Sequence, residues 1–286
     1  MKPLMRLLFG RHRGMAVMIA SLLVLAALWL LPPGDEDLYG GFPEIQDWPL
    51  RLSSQILKNP GFTLAYSEWH AGPLWVAYRA RRLDQHQSVG RLGHFSVDGR
   101  TLRRISSDDF RNSGYDRGHL APNYAMARLY GRQAQRASFS MSNISPQQPR
   151  LNQLLWQRLE EAELDLIAPA AGELWVLMGP VYGDRIRKLD SGIAVPEAYW
   201  RIWLKQTTAG PQLLALLIPQ DVCGDEAPAE FLESVDRIEA LTGLDLFSAL
   251  DDQLEARLEA GIQPQHWPLA QLARLEARYG GRFGPC

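Results

Sequence analysis

The chain is poor in cysteine, with two among 286 residues, Cys223 and Cys286. That excludes a disulfide-dense scaffold and a four-cysteine zinc site. Neither sits in a CxxC or histidine-rich neighbourhood, so neither marks a redox centre. Internal repeats and low-complexity tracts are missing, and 19 prolines and 24 glycines are too few for a fibrous chain. Hydrophobic residues reach 46%, which excludes wholesale disorder. Two further absences are local: no acid precedes Asp35, and no lysine lies between residues 79 and 158.

The formal net charge of −2 hides an asymmetry. Residues 79–158 carry 14 arginines and 5 aspartates, a net +9, whereas residues 159–286 carry 10 basic and 21 acidic residues, a net −11. A basic segment built only from arginine suits phosphate, because the guanidinium fork matches phosphate oxygens. The competing reading is a solvated face neutralised by the acidic half.

Met15 to Leu31 is an apolar run interrupted only by Ser21 and preceded by Lys2, Arg6, Arg11 and Arg13. As a helix it spans roughly 25 Å, the short end of a bilayer crossing. The basic flank stays cytoplasmic and sends the remaining chain outward. Bulky Leu28 to Leu31 disfavours signal-peptide cleavage. Residues 1–34 are therefore expected to be an uncleaved transmembrane anchor, with the catalytic part on the periplasmic or other extracytoplasmic side; cleavage would make the protein secreted. In such a compartment Cys223 and Cys286 are expected to bridge and pin the C-terminal tail, two free thiols being the alternative.

Residues 35–61 read as a Pro/Gly-punctuated linker, 62–250 as the main domain and 251–286 as a C-terminal helical extension. Strand character marks Leu74–Tyr78, Leu174–Met178 (ending at a Gly179-Pro180 turn) and, weakly, Phe139–Ser142. Tyr199–Leu204 and Leu213–Ile218 form a hairpin around Ala209-Gly210-Pro211. Helical spacing links Leu155, Leu159, Ala162 and Leu166, and further helices are expected over 231–241, 250–260 and 268–279. Strands and helices do not alternate strictly, so the class is α+β. Trp175, Trp200 and Trp203 read as core, and His70, His86, His94 and His266 lack ligand spacing.

The chemistry concentrates in Ser113-Gly114-Tyr115-Asp116-Arg117-Gly118-His119, inside the arginine-rich segment. A histidine serves as general base near neutral pH, and a neighbouring arginine holds an anion. Downstream come Ser142-Asn143-Ile144-Ser145-Pro146-Gln147, then Asn152 and, eight residues later, Glu160. On an α-helix that spacing is about 12 Å of rise and roughly 80° of rotation, so one ion is not gripped directly by both. A neutral amide with several waters suits magnesium, and Glu160 would act through water. The other readings are a helix cap for Asn152 and an ordinary acidic face for Glu160, Glu161 and Glu163.

These residues resemble the DNA/RNA non-specific endonucleases, the ββα-metal (His-Me finger) nucleases that include endonuclease G. The resemblance rests on Asp116-Arg117-Gly118-His119, Asn143, the Asn152–Glu160 spacing and the Gly179–Gly183 and Val195-Pro196 turns. It implies a mostly antiparallel central sheet flanked by helices. It implies His119 as the general base, Asn152 as the protein ligand of Mg2+ (for which Mn2+ can substitute) and Glu160 as the carboxylate orienting water around that ion. Arg117 is expected near phosphate, Asn143 as shaping the site, and Arg91 as the upstream arginine that steadies transition-state charge. One departure stands out: Leu164 occupies a position where some relatives carry an arginine, with Arg158 a substitute. The implied activity is sequence-non-specific hydrolysis of DNA and/or RNA; a homodimer stays open. Two other functions compete: a non-catalytic nucleic-acid binder, and a phosphodiesterase for another phosphate ester near a membrane.

Overall fold

The computed structural model describes residues 38–83, 90, 92–284 and 286. The expected anchor, His86 and Arg91 lie outside the described residues. No helix among the described residues is long and apolar enough to cross a membrane.

Apolar runs rich in aromatic and β-branched residues form the central sheet. Its strands are β1 (Ser54–Asn59), β2 (Phe62–Ser67), β3 (Gly72–Arg81), β6 (Glu173–Val181), β7 (Ala198–Thr207), β8 (Gly210–Pro219) and β9 (Leu232–Glu233). They lie in the order β9-β8-β7-β6-β3-β2-β1, and every pairing is antiparallel. The runs are continuous rather than alternating because both faces are covered. Val76, Tyr78, Val176, Met178 and Trp203 point to one core; Trp75, Ala77, Leu177, Trp200 and Ile202 point to the other.

The first core is closed by α1 (Asn123–Ser138) and by a helical run over 151–171 containing α2 (Gln157–Ala162). The second is closed by Leu38, by Phe247, and by α3 (Val235–Thr242) and α4 (Asp252–Glu259). A separate antiparallel pair, β4 (Asp116–His119) and β5 (Ile144–Gln147), sits on a small cluster of Ala71, Ile105, Phe110, Met141, Ile144 and Ile193.

Several sequence expectations change. The stretch read as linker contributes β1, an edge strand of the main sheet. Strand β6 continues through Gly179-Pro180, because Gly179 is required by a close approach: a Cβ there would overlap the Leu74 carbonyl oxygen and the Trp200 ring. Proline is tolerated since β3 pairs with β6 only as far as Met178. Phe139–Ser142 forms a single bridge to Ser96 and a short turn rather than a strand. Helix α3 starts at Val235, where the Ser234 hydroxyl accepts the Arg237 N–H, and ends at left-handed Gly243 (φ 66°). The expected helix over 268–279 covers only Leu269–Leu272. Beyond it, side chains from the 151–171 run take the backbone: Arg158 donates to Leu275 O, and the Gln157 amide oxygen accepts the Arg278 N–H.

Candidate active site

Strand β4 carries Asp116, Arg117, Gly118 and His119 on one short ladder, with Gly118 opposite Ser145 and His119 opposite Ile144. Gly118 is required here: any Cβ would fall inside the buried Gln147 side chain. After His119 the chain is held by Asn143, which is fully buried. Its Oδ1 accepts the Ala121 N–H at 2.9 Å, and its Nδ2 donates to Ala121 O and Ser138 O at 3.0 and 2.9 Å. Its own carbonyl accepts the Leu120 N–H. Asn143 thus clamps the turn behind His119 and does not line the cleft.

The His119 ring lies between two aromatics, with Phe139 edge-on at 4.9 Å and Phe95 tilted at 5.4 Å between centroids. Arg117 is exposed, lies over the Phe95 ring at 5.0 Å and donates to the Ser107 hydroxyl. Just upstream, Asp98 accepts from Arg100, Ser140 and Ser142. Burial opposes ionisation of Asp98, but the bonds from Arg100 and Ser142 prevail and hold its carboxyl well below the usual carboxylate range. This network fastens the segment bearing Phe95 to the turn before β5.

Asn152 and Glu160 come from the 151–171 run, whose first six residues, Leu151–Trp156, are wound as a π-helix. Each i→i+5 residue turns through less than the α-helical 100°, so the surplus rotation between the two side chains shrinks below the straight-helix value. Both face one cleft of about 670 Å³, lined also by Asp116, Arg117, His119, Gln153, Gln157, Tyr124 and Arg128. Asp116 ties the two elements together: its Oδ2 accepts from Asn152 Nδ2 at 2.9 Å and from Gln153 Nε2 at 2.7 Å. A carboxylate accepts only, so the Asn152 amide must give it nitrogen and keep its oxygen for another partner. The set gathered here, an amide oxygen with the carboxylate of Glu160, consists of hard oxygen donors suited to Mg2+.

The run is pinned to the sheet by a fully buried pair that sequence patterning left unassigned. Arg201 on β7 meets Glu163 at 2.8 Å, and Glu163 also accepts from Trp203 Nε1 at 2.7 Å and from Tyr78. Burial pushes the Glu163 carboxyl up, opposed by Arg201 and by these bonds. The Arg201 guanidinium stacks on Trp156 at 4.1 Å, between Asn152 and Glu160 in sequence. Glu163 is thus no part of a solvated acidic face.

Of the arginines between residues 79 and 158, Arg117 and Arg128 line the cleft. Others serve the fold: Arg79 pairs with Glu173, Arg100 with Asp98, Arg111 with Asp108, and Arg103 donates to Ser191 O and Gly192 O. Arg158 is buried and bonds Leu275 O and Glu226 O, so it is no substitute phosphate ligand. Leu164 is buried in the core. Cations from an unforeseen place enter instead, as Arg278 and Arg282 of the C-terminal segment line the cleft. Cys223 and Cys286 form a disulfide, as the sequence suggested. His70 is buried against Tyr182, His94 and His266 are exposed, and Trp200 and Trp203 are buried while Trp175 is partly so.

Residues 46–253 match the family described as DNA/RNA non-specific endonuclease. A nuclease of Nostoc sp. is 30% identical over 220 residues, covering 72% of this chain and 78% of that protein. Mitochondrial endonuclease G of Bos taurus is 27% identical over 222 residues, covering 72% and 73%. A chain of the solved EndoG/EndoGI complex shares the fold, with a TM-score of 0.62 at 22% identity over 68% of this chain and 86% of that one. With the family match extending over most of its length, the chain belongs to the DNA/RNA non-specific endonuclease family.

Proposed function

We propose that the protein is a Mg2+-dependent endonuclease that hydrolyses phosphodiester bonds of DNA and/or RNA without sequence preference. The observation that carries this reading is the shared cleft, in which His119 on β4 and Asn152 and Glu160 on the helical run line one cavity joined through Asp116.

His119 takes the proton from the attacking water, while Phe95 and Phe139 fix the plane of its ring. Arg117 and Arg128 offer guanidinium donors to the backbone phosphate. Asn152, oriented by Asp116, would hold the ion through its amide oxygen, and Glu160 would order water around it. When bound, Mg2+ supplies Lewis-acid stabilisation of charge on the phosphate and the leaving oxygen. Contacts made to backbone phosphate rather than base edges account for the lack of sequence preference.

Cys223–Cys286 supports an oxidising compartment, in keeping with an N-terminal anchor that leaves this domain outside the cytoplasm. Digesting plasmid DNA, RNA and a small phosphodiester with and without EDTA tests the activity. Cleavage of the polymers that EDTA abolishes is expected; cleavage of the small ester alone would overturn the nuclease assignment. The intact mass of the purified native protein tests the anchor, and loss of the first thirty-odd residues would reject it.

A further inference from the structure

We propose that the disulfide-held C-terminal segment, residues 273–286, is part of the substrate site, with Arg278 and Arg282 contacting phosphates of the nucleic-acid backbone. The proposal rests on the nuclease reading above and adds to it a binding element outside the matched family region, which ends at residue 253.

The segment departs from its surroundings in charge. It carries Arg274, Arg278 and Arg282 against a single acid, Glu276, within the acidic half of the chain. Two of these arginines and Tyr279 line the cleft that holds His119, Asn152 and Glu160. Both guanidinium groups are presented rather than buried. Arg278 is exposed and pairs with Glu161 one residue beyond Glu160, and Arg282 lies over the Tyr279 ring at 4.5 Å. A guanidinium has five N–H donors, so one carboxylate partner leaves donors for a phosphate. An ion pair open to solvent on its arginine side is also weak enough to be exchanged.

The position of the segment is over-determined. Arg158 donates to Leu275 O at 3.3 Å, and the Arg278 N–H donates to Gln157 Oε1 at 3.0 Å. Arg150 donates to Gly284 O at 2.6 Å and to Cys223 O at 3.0 Å, and it lies over the Phe283 ring at 5.4 Å. The Cys223–Cys286 bridge closes the far end. Residues 150, 157 and 158 belong to or adjoin the run that carries Asn152 and Glu160, so the tail is registered against that run and not merely against the surface. The run itself offers little further cation: Leu164 is buried, and its one arginine, Arg158, is buried and bonded to the Leu275 and Glu226 carbonyls. The tail supplies positive charge beside it.

The test uses the full chain and labelled duplex DNA and single-stranded RNA oligonucleotides, with binding measured in EDTA across a salt series. Each phosphate contact adds about one to the slope of log Kd against log salt. R278Q/R282Q is expected to weaken binding about tenfold and to lower that slope by about two, while R278K/R282K keeps most of the slope. C286A is expected to lose as much as R278Q/R282Q, with no further loss when combined with it; its thermal melt checks that the domain stays folded. Unchanged Kd and slope in R278Q/R282Q, beside a wild type that binds, would overturn the tail contact and leave the nuclease reading intact. Wild-type affinity in a folded C286A would overturn the part played by the disulfide. A wild type that neither binds nor cleaves nucleic acid would overturn the nuclease reading itself.

Discussion

His119→Ala removes the proposed general base without disturbing a helix or the main sheet, so cleavage is expected to fall by about 10²–10⁴ with an unchanged melting temperature. Plasmid nicking rates beside a thermal melt check this. Gly118→Ala makes the complementary point. A new methyl meets the fully buried Gln147 side chain, so either that side chain or the β4–β5 pair must shift. A destabilisation of about 1–3 kcal/mol is expected in urea unfolding, together with lost activity. The motif marked both positions, but the need for the glycine was not legible, because the Gln147 side chain that fills the space beside it comes from another strand. Asn143 was expected to shape the site, but which backbone groups it grips, and which amides Asp116 holds, depends on pairing across the fold. Phe95, Phe139 and Arg278 carried no signal, since nothing near them in sequence says what they will face.

At the scale of elements, the 151–171 run is both a packing helix and the platform for Asn152 and Glu160. Its seat on the sheet depends on Arg201 and Glu163. Glu163→Gln leaves Arg201 buried beside a neutral amide, and a loss of about 3–5 kcal/mol is expected in urea unfolding. Glu163→Gln combined with Arg201→Met should recover part of that loss, because it removes the orphaned charge as well. Strands β3, β6, β7 and β8 were readable as apolar runs, and the β7–β8 hairpin was foreseen with its turn, whereas β1 fell in the stretch read as linker and β9 in one read as helix. The π-wound start was not readable: nothing in the spacing of Leu155, Leu159 and Ala162 separates i→i+4 from i→i+5 winding upstream. The C-terminal helix was over-extended for a related reason. Its amphipathic pattern is genuine, but Gln157 and Arg158 capture its backbone before a second turn can form.

For the molecule as a whole, stability should depend on pH through two groups outside the motif. Burial, with Lys188 nearby, lowers the His70 pKa from its ordinary 6.5 to about 4. Between those values the unfolded chain takes up a proton that the native one refuses, so stability is lost as pH falls from 6.5 to 4, by at most about 3 kcal/mol. Urea midpoints over that range should flatten in His70→Gln. Glu259 works the other way. Burial, then Glu239, Glu255, Asp236 and Asp245, raise its pKa to about 8. The unfolded chain releases the proton near 4.5, so stability is lost as pH rises from there towards 8. Glu259→Gln should therefore melt higher than wild type at pH 8 and alike at pH 4.5. One last consequence follows from the two covered faces of the sheet. Leu38, where the described chain begins, packs in the layer behind the sheet, whereas the cavity opens among the helices in front. The two layers can therefore be altered separately: substitutions confined to the rear one, such as Phe247→Ala, cost folding stability without reshaping the cavity.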